Sequence, residues 1–191
     1  QRDMVDVADA RPFQTIRPEV GPKAMSAFQG QLASAERPLM ILGGAGWSEQ
    51  ACADIQAFAE RNAVPVAASF RCQDLFDNMH SNYAGELGTS VSPALTQRMR
   101  DADLLIVVGS RLGEMTSGGY SLVNIPVPKQ KLVHVYLDSS ELGRVYEPDL
   151  AIVASMESFA AAARDMEAVA YGKWVEWMRQ ANQDYLDNLA P

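Results

Sequence analysis

The feature that most constrains this chain is a series of short apolar runs that lack alternation. Leu39-Met40-Ile41-Leu42, Leu104-Leu105-Ile106-Val107-Val108 and Leu150-Ala151-Ile152-Val153 contain no polar residue, and Leu132-Val133-His134-Val135-Tyr136-Leu137 is broken only by His134. A strand with one wet face alternates apolar and polar side chains. A continuous run is buried on both faces, which is the situation of a parallel sheet covered by helices. Val64-Pro65-Val66-Ala67-Ala68 is a further strand candidate, and the long connection over residues 69–91 is expected to hide a short one near residues 82–84.

Helical periods lie between these runs. Residues 18–36 place Met25, Phe28 and Leu32 at spacings of three and four, with Pro18 suited to a first turn. Ser48 caps a helix reaching Asn62 that turns Ile55, Phe58 and Ala59 inward; Ser92-Pro93 opens another to about residue 100. A helical turn is expected at residues 140–145, an alanine-rich helix from Ser155 to residue 170, and a terminal helix over residues 172–189. The segment 112–128 reads as a Gly- and Pro-containing loop. Strands alternating with helices predict a three-layer, doubly wound, Rossmann-like α/β fold, with a six-stranded, mainly parallel sheet in the order 3-2-1-4-5-6. The expected organisation is a linker at residues 1–17, one α/β domain at 18–170 and a C-terminal helix at 171–191.

The formal charge of −8 argues against nucleic acid or an anionic membrane as partner, since both need a basic footprint. No run of about 18 apolar residues offers a membrane span. Cys52 and Cys72 show no paired zinc or redox spacing, so a reducing cytoplasm is expected. The polar start, without an initiator Met or a signal-peptide layout, reads as that of a fragment.

In this strand order the first and fourth strands are neighbours where the winding reverses, and ligands bind beyond their carboxyl ends. The first ends in Gly43-Gly44-Ala45-Gly46 and the fourth in Gly109-Ser110-Arg111. Gly43, Gly44 and Gly46 suit close approach of a phosphate to backbone N–H groups at a helix start. The dinucleotide pattern is incomplete, because Glu49 stands where a third glycine is needed. The second strand also ends in Ala68-Ser69-Phe70, without the acidic residue that binds ribose. A tight turn without ligand and a nucleotide site therefore both stay open. With Gly109 and Ser110, Arg111 can grip phosphate or carboxylate, or form a surface ion pair. Asp138 can accept from ribose hydroxyls or cap a helix. His134 reads as a satisfied sheet histidine, His80 sits in the long loop, and Glu86 lies between Gly85 and Gly88. No catalytic residue and no metal ligand is assigned.

Four segments in order carry a family resemblance: residues 37–46, Ala102-Asp103 through Arg111, Val133 to Asp138 followed by Glu141-Leu142-Gly143-Arg144, and His80 through Gly88. They resemble the central domain of thiamine-diphosphate-dependent enzymes of the acetolactate synthase-like family, over roughly residues 16–165. The resemblance implies a parent lyase or transferase of three α/β domains acting on 2-oxo acids. Thiamine diphosphate and Mg²⁺ would be held outside this chain, by a first-domain glutamate and a third-domain G-D-G…N motif. G-D-G does not occur here, so the fragment alone would be inactive, a structural spacer with an optional nucleotide cleft. Its partners would be the flanking domains and, in a dimer or tetramer, further copies of the parent. Members of the family bind FAD, ADP or nothing in this domain. FAD-binding members resemble G-M-x-G-M-H-G where this chain has Gly85-Glu86-Leu87-Gly88-Thr89-Ser90, and continue with charged residues where it has Leu112-Gly113-Glu114-Met115. Both departures weigh against FAD. The rival readings are a sirtuin-like NAD-dependent enzyme and a stand-alone adenine-nucleotide-binding module.

Overall fold

A computed structural model describes residues 9–11, 14, 16–169 and 172–189. Most of the expected linker, and residues 170–171 and 190–191, lie outside the described residues. The elements are α1 (Pro22–Ser34), β1 (Pro38–Leu42), α2 (Glu49–Asn62), β2 (Val66–Ser69), a 3₁₀ turn (Gln73–Leu75), β3 (Tyr83–Leu87), α3 (Pro93–Asp101), β4 (Leu104–Val108), β5 (Lys131–Tyr136), β6 (Leu150–Val153), α4 (Met156–Asp165) and α5 (Val175–Leu189). The six strands form one sheet in the order β3-β2-β1-β4-β5-β6. Every pairing is parallel.

Burial on both faces explains the unbroken runs. Met40, Leu42, Ile106 and Val108 point into a core layer with Phe28, Phe58 and Phe159 from α1, α2 and α4. Leu39, Ile41, Leu105 and Val107 point the other way, onto Leu95 and Met99 of α3 and Ala181 of α5. Each such side chain contributes about 1.5–3 kcal/mol by leaving water. Phe28 sits between the other two rings, 5.7 Å from Phe58 and 5.4 Å from Phe159 between centroids.

Three element ends differ from the sequence expectation, each through a tertiary contact. The first helix starts at Pro22 behind Gly21, not at Pro18. Residues 18–20 are held extended against the start of α4 instead. The Ser155 N–H donates to Pro18 O at 2.9 Å, and the Val20 N–H donates to Ser158 Oγ at 2.9 Å. The alanine-rich helix ends at Asp165 rather than continuing to residue 170. There Arg61 donates to Met166 O at 3.2 Å, and Asn62 Oδ1 accepts from the Val169 N–H at 3.1 Å, so α2 draws the chain out of helical register. The hidden strand is longer than expected, running from Tyr83 to Leu87 on the sheet edge.

Asn62 concentrates several of these bonds. Its amide donates to Phe58 O at 3.0 Å, and its carbonyl accepts from the Trp174 indole at 2.6 Å. Asn62→Ala strands the part-buried Val169 N–H. We expect it to lower the unfolding free energy by about 2 kcal/mol, against about 1 kcal/mol for the helix cap Ser48→Ala. Urea titration of both variants checks the ranking.

Candidate functional site

The carboxyl ends of β1 and β4 meet where the winding reverses. The Gly43 N–H donates to Val108 O at 3.0 Å and the Gly109 N–H donates to Val135 O at 2.9 Å. Beyond these bonds the two chains cross in direct contact. A Cβ on Gly44 would run into the Gly109 carbonyl, and a Cβ on Gly109 into the Gly43 carbonyl. Both residues also have positive φ, +74° and +76°. These glycines are therefore required by backbone meeting backbone, whatever the cleft holds. The Gly43 carbonyl is already used, accepting from the Trp47 indole at 2.9 Å.

Three adjoining cavities open over this junction. The first, about 390 Å³, is lined by Gly44, Ala45, Gly109, Ser110, Arg111 and Tyr136 among others, with Cys72 and Thr116 on its rim. The second, about 200 Å³, shares Ala45, Gly109, Arg111 and Tyr136 and adds Asp138, Leu137 and Met156. The third, about 440 Å³, is the most apolar: Ile16, Pro18, Leu137 and Met156 surround Ala45 and Gly46. Of the sequence candidates, the structure thus brings Gly44, Gly109, Ser110, Arg111 and Asp138 together, with Gly46 at the apolar end. Gly43 lines none of the three. Tyr136, Leu137 and Met156 were not legible as site residues, since they belong to ordinary strand and helix patterns.

The cleft carries a graded charge. Arg111 Nε donates to the Tyr136 hydroxyl at 2.9 Å and lies 3.5 Å from Glu141 Oε2, while Arg144 pairs with the same carboxylate at 2.6 Å. The Tyr136 bond and the Glu141 charge push the Arg111 guanidinium still further up, so it is a permanent cation. Asp138 Oδ1 accepts from the Ser140 N–H at 2.9 Å, capping a turn and not a helix. That bond, a second from the Ser140 hydroxyl and the Arg111 charge hold the Asp138 carboxyl below its ordinary value. An apolar end, a carboxylate and a cation thus follow one another along the cleft. Residues 43–46 offer less to a phosphate, because the Gly43 N–H is spent on the sheet.

His134 is buried beneath the cleft, where Nε2 donates to Ser110 O at 2.8 Å and Nδ1 has no partner among the described residues. It is only half satisfied. Burial lowers its pKa and favours the neutral ring. His80 is not open: Nε2 meets Glu60 at 3.0 Å and Nδ1 accepts from the Asn82 N–H at 3.1 Å, closing the loop before β3. Among the described residues no group of three His, Cys, Asp or Glu could hold a metal ion, and no helix is long and apolar enough to cross a membrane.

Residues 26–163 match the protein family described as "Thiamine pyrophosphate enzyme, central domain". The chain is 23% identical over 183 residues to the acetolactate synthase large subunit of Corynebacterium glutamicum, covering 92% of this chain and 28% of that protein. It is 25% identical over 157 residues to the acetolactate synthase isozyme 1 large subunit of Escherichia coli, 82% of this chain and 27% of that one. It is 28% identical over 141 residues to the sulfoacetaldehyde acetyltransferase of Castellaniella defragrans, 74% and 24%. The chain thus spans about a quarter of the length of these relatives. None of these matches supports the sirtuin-like or stand-alone readings.

Two expectations follow. Gly44→Ala and Gly109→Ala must move backbone and should each cost more than about 2 kcal/mol, while Gly46→Ala, with open space around its Cβ, should cost only about 1 kcal/mol; thermal melts without ligand compare them. For His134, the folded-state pKa lies below the unfolded value of 6.5. As pH falls through that value the unfolded chain takes up a proton that the fold refuses, so stability declines as the pH drops below about 6.5. His134→Gln keeps a donor for Ser110 and should flatten that decline in urea titrations.

Proposed function

The chain belongs to the thiamine pyrophosphate enzyme central-domain family, and from that premise we propose that it is the non-catalytic middle domain of a thiamine-diphosphate-dependent lyase or transferase acting on 2-oxo acids. The observation that carries this reading is the family match from α1 to α4, which takes in the whole sheet and the glycine turns after β1 and β4. When bound, thiamine diphosphate supplies a nucleophilic carbon for attack on a carbonyl. Together with Mg²⁺ it would be held by the flanking domains of the parent; among the described residues no group of three His, Cys, Asp or Glu could hold a metal ion. The chain's own work is to hold the neighbouring domains in register and to contribute contacts between copies of the parent in a homo-oligomer. The two free cysteines among the described residues accord with a reducing cytoplasm.

The cleft itself is proposed as an adenine-nucleotide site. Arg111 would pair with the diphosphate, Asp138 would accept from the ribose hydroxyls, and Leu137 with Met156 would face the base. Gly44, Gly46, Gly109 and Ser110 would let backbone come close to the ligand. ADP suits this arrangement better than FAD. Gly85-Glu86-Leu87-Gly88-Thr89-Ser90 and Leu112-Gly113-Glu114-Met115 both depart from the pattern of the FAD-binding members.

The purified chain should bind ADP and should turn over neither NAD nor a 2-oxo acid supplied with thiamine diphosphate and Mg²⁺. Arg111→Ala should weaken ADP by about tenfold, the scale of one charge-assisted pair. In a Cys52→Ser background, bound ADP should also slow alkylation of Cys72, which lines the first cavity. Turnover of NAD would overturn the family-based role. Absence of ADP binding, with the fold intact, would leave a purely structural domain.

A further inference from the structure

A second cavity, of about 290 Å³, lies outside the sheet edge, between β3, the 3₁₀ turn, the turn at residues 88–92 and the end of α5. It shares no lining residue with the switch-point cleft. Its charge is also opposite in sign. The Glu86 carboxylate lines it, and no Lys, Arg or His does. Glu86 is partly buried, yet it forms no ion pair among the described residues; its one hydrogen-bond donor there is the neutral amide of Gln73.

The motif that stood out in the sequence is built around this carboxylate. A Cβ on Gly88 would come within 2.5 Å of Glu86 Oε1, so the glycine makes the room that the acid occupies. Beside it stand two aromatic rings, Tyr83 on β3 and Tyr185 on α5, edge to face with centroids 4.9 Å apart. Burial and the nearby Tyr185 and Glu86 push the Tyr83 phenol up, so it stays neutral. Ser90 and Ser92 add hydroxyl oxygens.

A carboxylate withdrawn from water without a counter-ion is costly, and a cation arriving from solution offsets that cost. A divalent metal needs six or more oxygens, usually several of them charged, and here there is one acid. An ammonium group needs less: one carboxylate, a few neutral oxygens for its three N–H donors, and aromatic faces for its apolar flank. The volume is at the small end for ligand pockets. We propose that this cavity binds a small primary organic ammonium ion, with Glu86 as counter-ion and Tyr185, propped by the buried Tyr83, as the aromatic wall.

The test is a titration of the ¹⁵N-labelled chain with propylammonium chloride at constant ionic strength, followed by amide chemical shifts. The proposal expects saturable shifts at Gly85, Gly88 and Ser90, with a dissociation constant of about 1 mM or tighter. Glu86→Gln, which keeps a partner for Gln73, should weaken binding by about tenfold or more. Ser90→Lys, at an exposed rim position, supplies the ammonium internally and should abolish binding with the fold intact, which covers the case in which Glu86→Gln fails to fold. ADP binding should be unaffected by either substitution, so this result is independent of the nucleotide reading. The proposal is overturned if the shifts do not saturate, if sodium chloride reproduces them, if calcium chloride binds more tightly, or if Ser90→Lys binds as the parent does.

Discussion

Strands β1 and β4 lie side by side in the middle of the sheet, and past Leu42 and Val108 their chains part toward opposite faces. They part at van der Waals contact, with Gly44 on the Gly109 carbonyl and Gly109 on the Gly43 carbonyl. Side chains at these points would force the two central strands apart, and with them the Leu, Ile and Val ladder that joins the two core layers. The same parting opens the cleft. One constraint thus sets both a direct backbone-to-backbone contact and the place where a ligand can enter, which is why the glycines alone do not distinguish a bound domain from an empty one.

The remaining elements are tied to this centre by polar groups, from the partly buried Asp103 to the buried Asn82 and Arg98. Asp103 accepts from the Glu36 and Arg37 N–H groups at 2.7 and 2.8 Å, and its carbonyl accepts from the Lys131 N–H at 2.8 Å, so one residue aligns the starts of β1, β4 and β5. Asn82 does the same work for β2, donating to Ala59 O and Val64 O at 3.0 and 2.9 Å. On the far face Arg98 lies 4.3 Å from the centre of the Trp177 ring and pairs with Asp184, which docks α5 over α3. Buried polar groups are costly unless paired, so these bonds select one register among many of similar apolar burial.

The two cavities place opposite charges in different parts of the fold. Arg111 stands above the switch point, while Glu86 stands at the sheet edge under α5. The parallel sheet dictates the first position, because its strand ends converge there. The second depends on α5, which follows the last strand and returns to cover the edge strand β3.

Much of the fold was legible in local pattern. Unbroken apolar runs, Ser48, Ser92 and Ser155 as helix caps, and glycines after β1 and β4 are one-dimensional signals, and they specified strand number, order and the position of the cleft. Element ends were less legible. Pro18 has the chemistry of a helix start and Ala168 that of a helix interior, but bonds from Ser155 and Ser158, and from Arg61 and Asn62, hold those segments in other shapes. The same limit applies to the sites. Arg111 and Asp138 stood out because they end strands; Tyr136 and Met156 did not, because their role comes from what lies beside them. Sequence by itself determined the periodicity of burial, and through it the doubly wound sheet. Tertiary structure alone decided which carboxylate meets a cation and which is left without one, because charge pairing depends on distance between segments far apart in the chain.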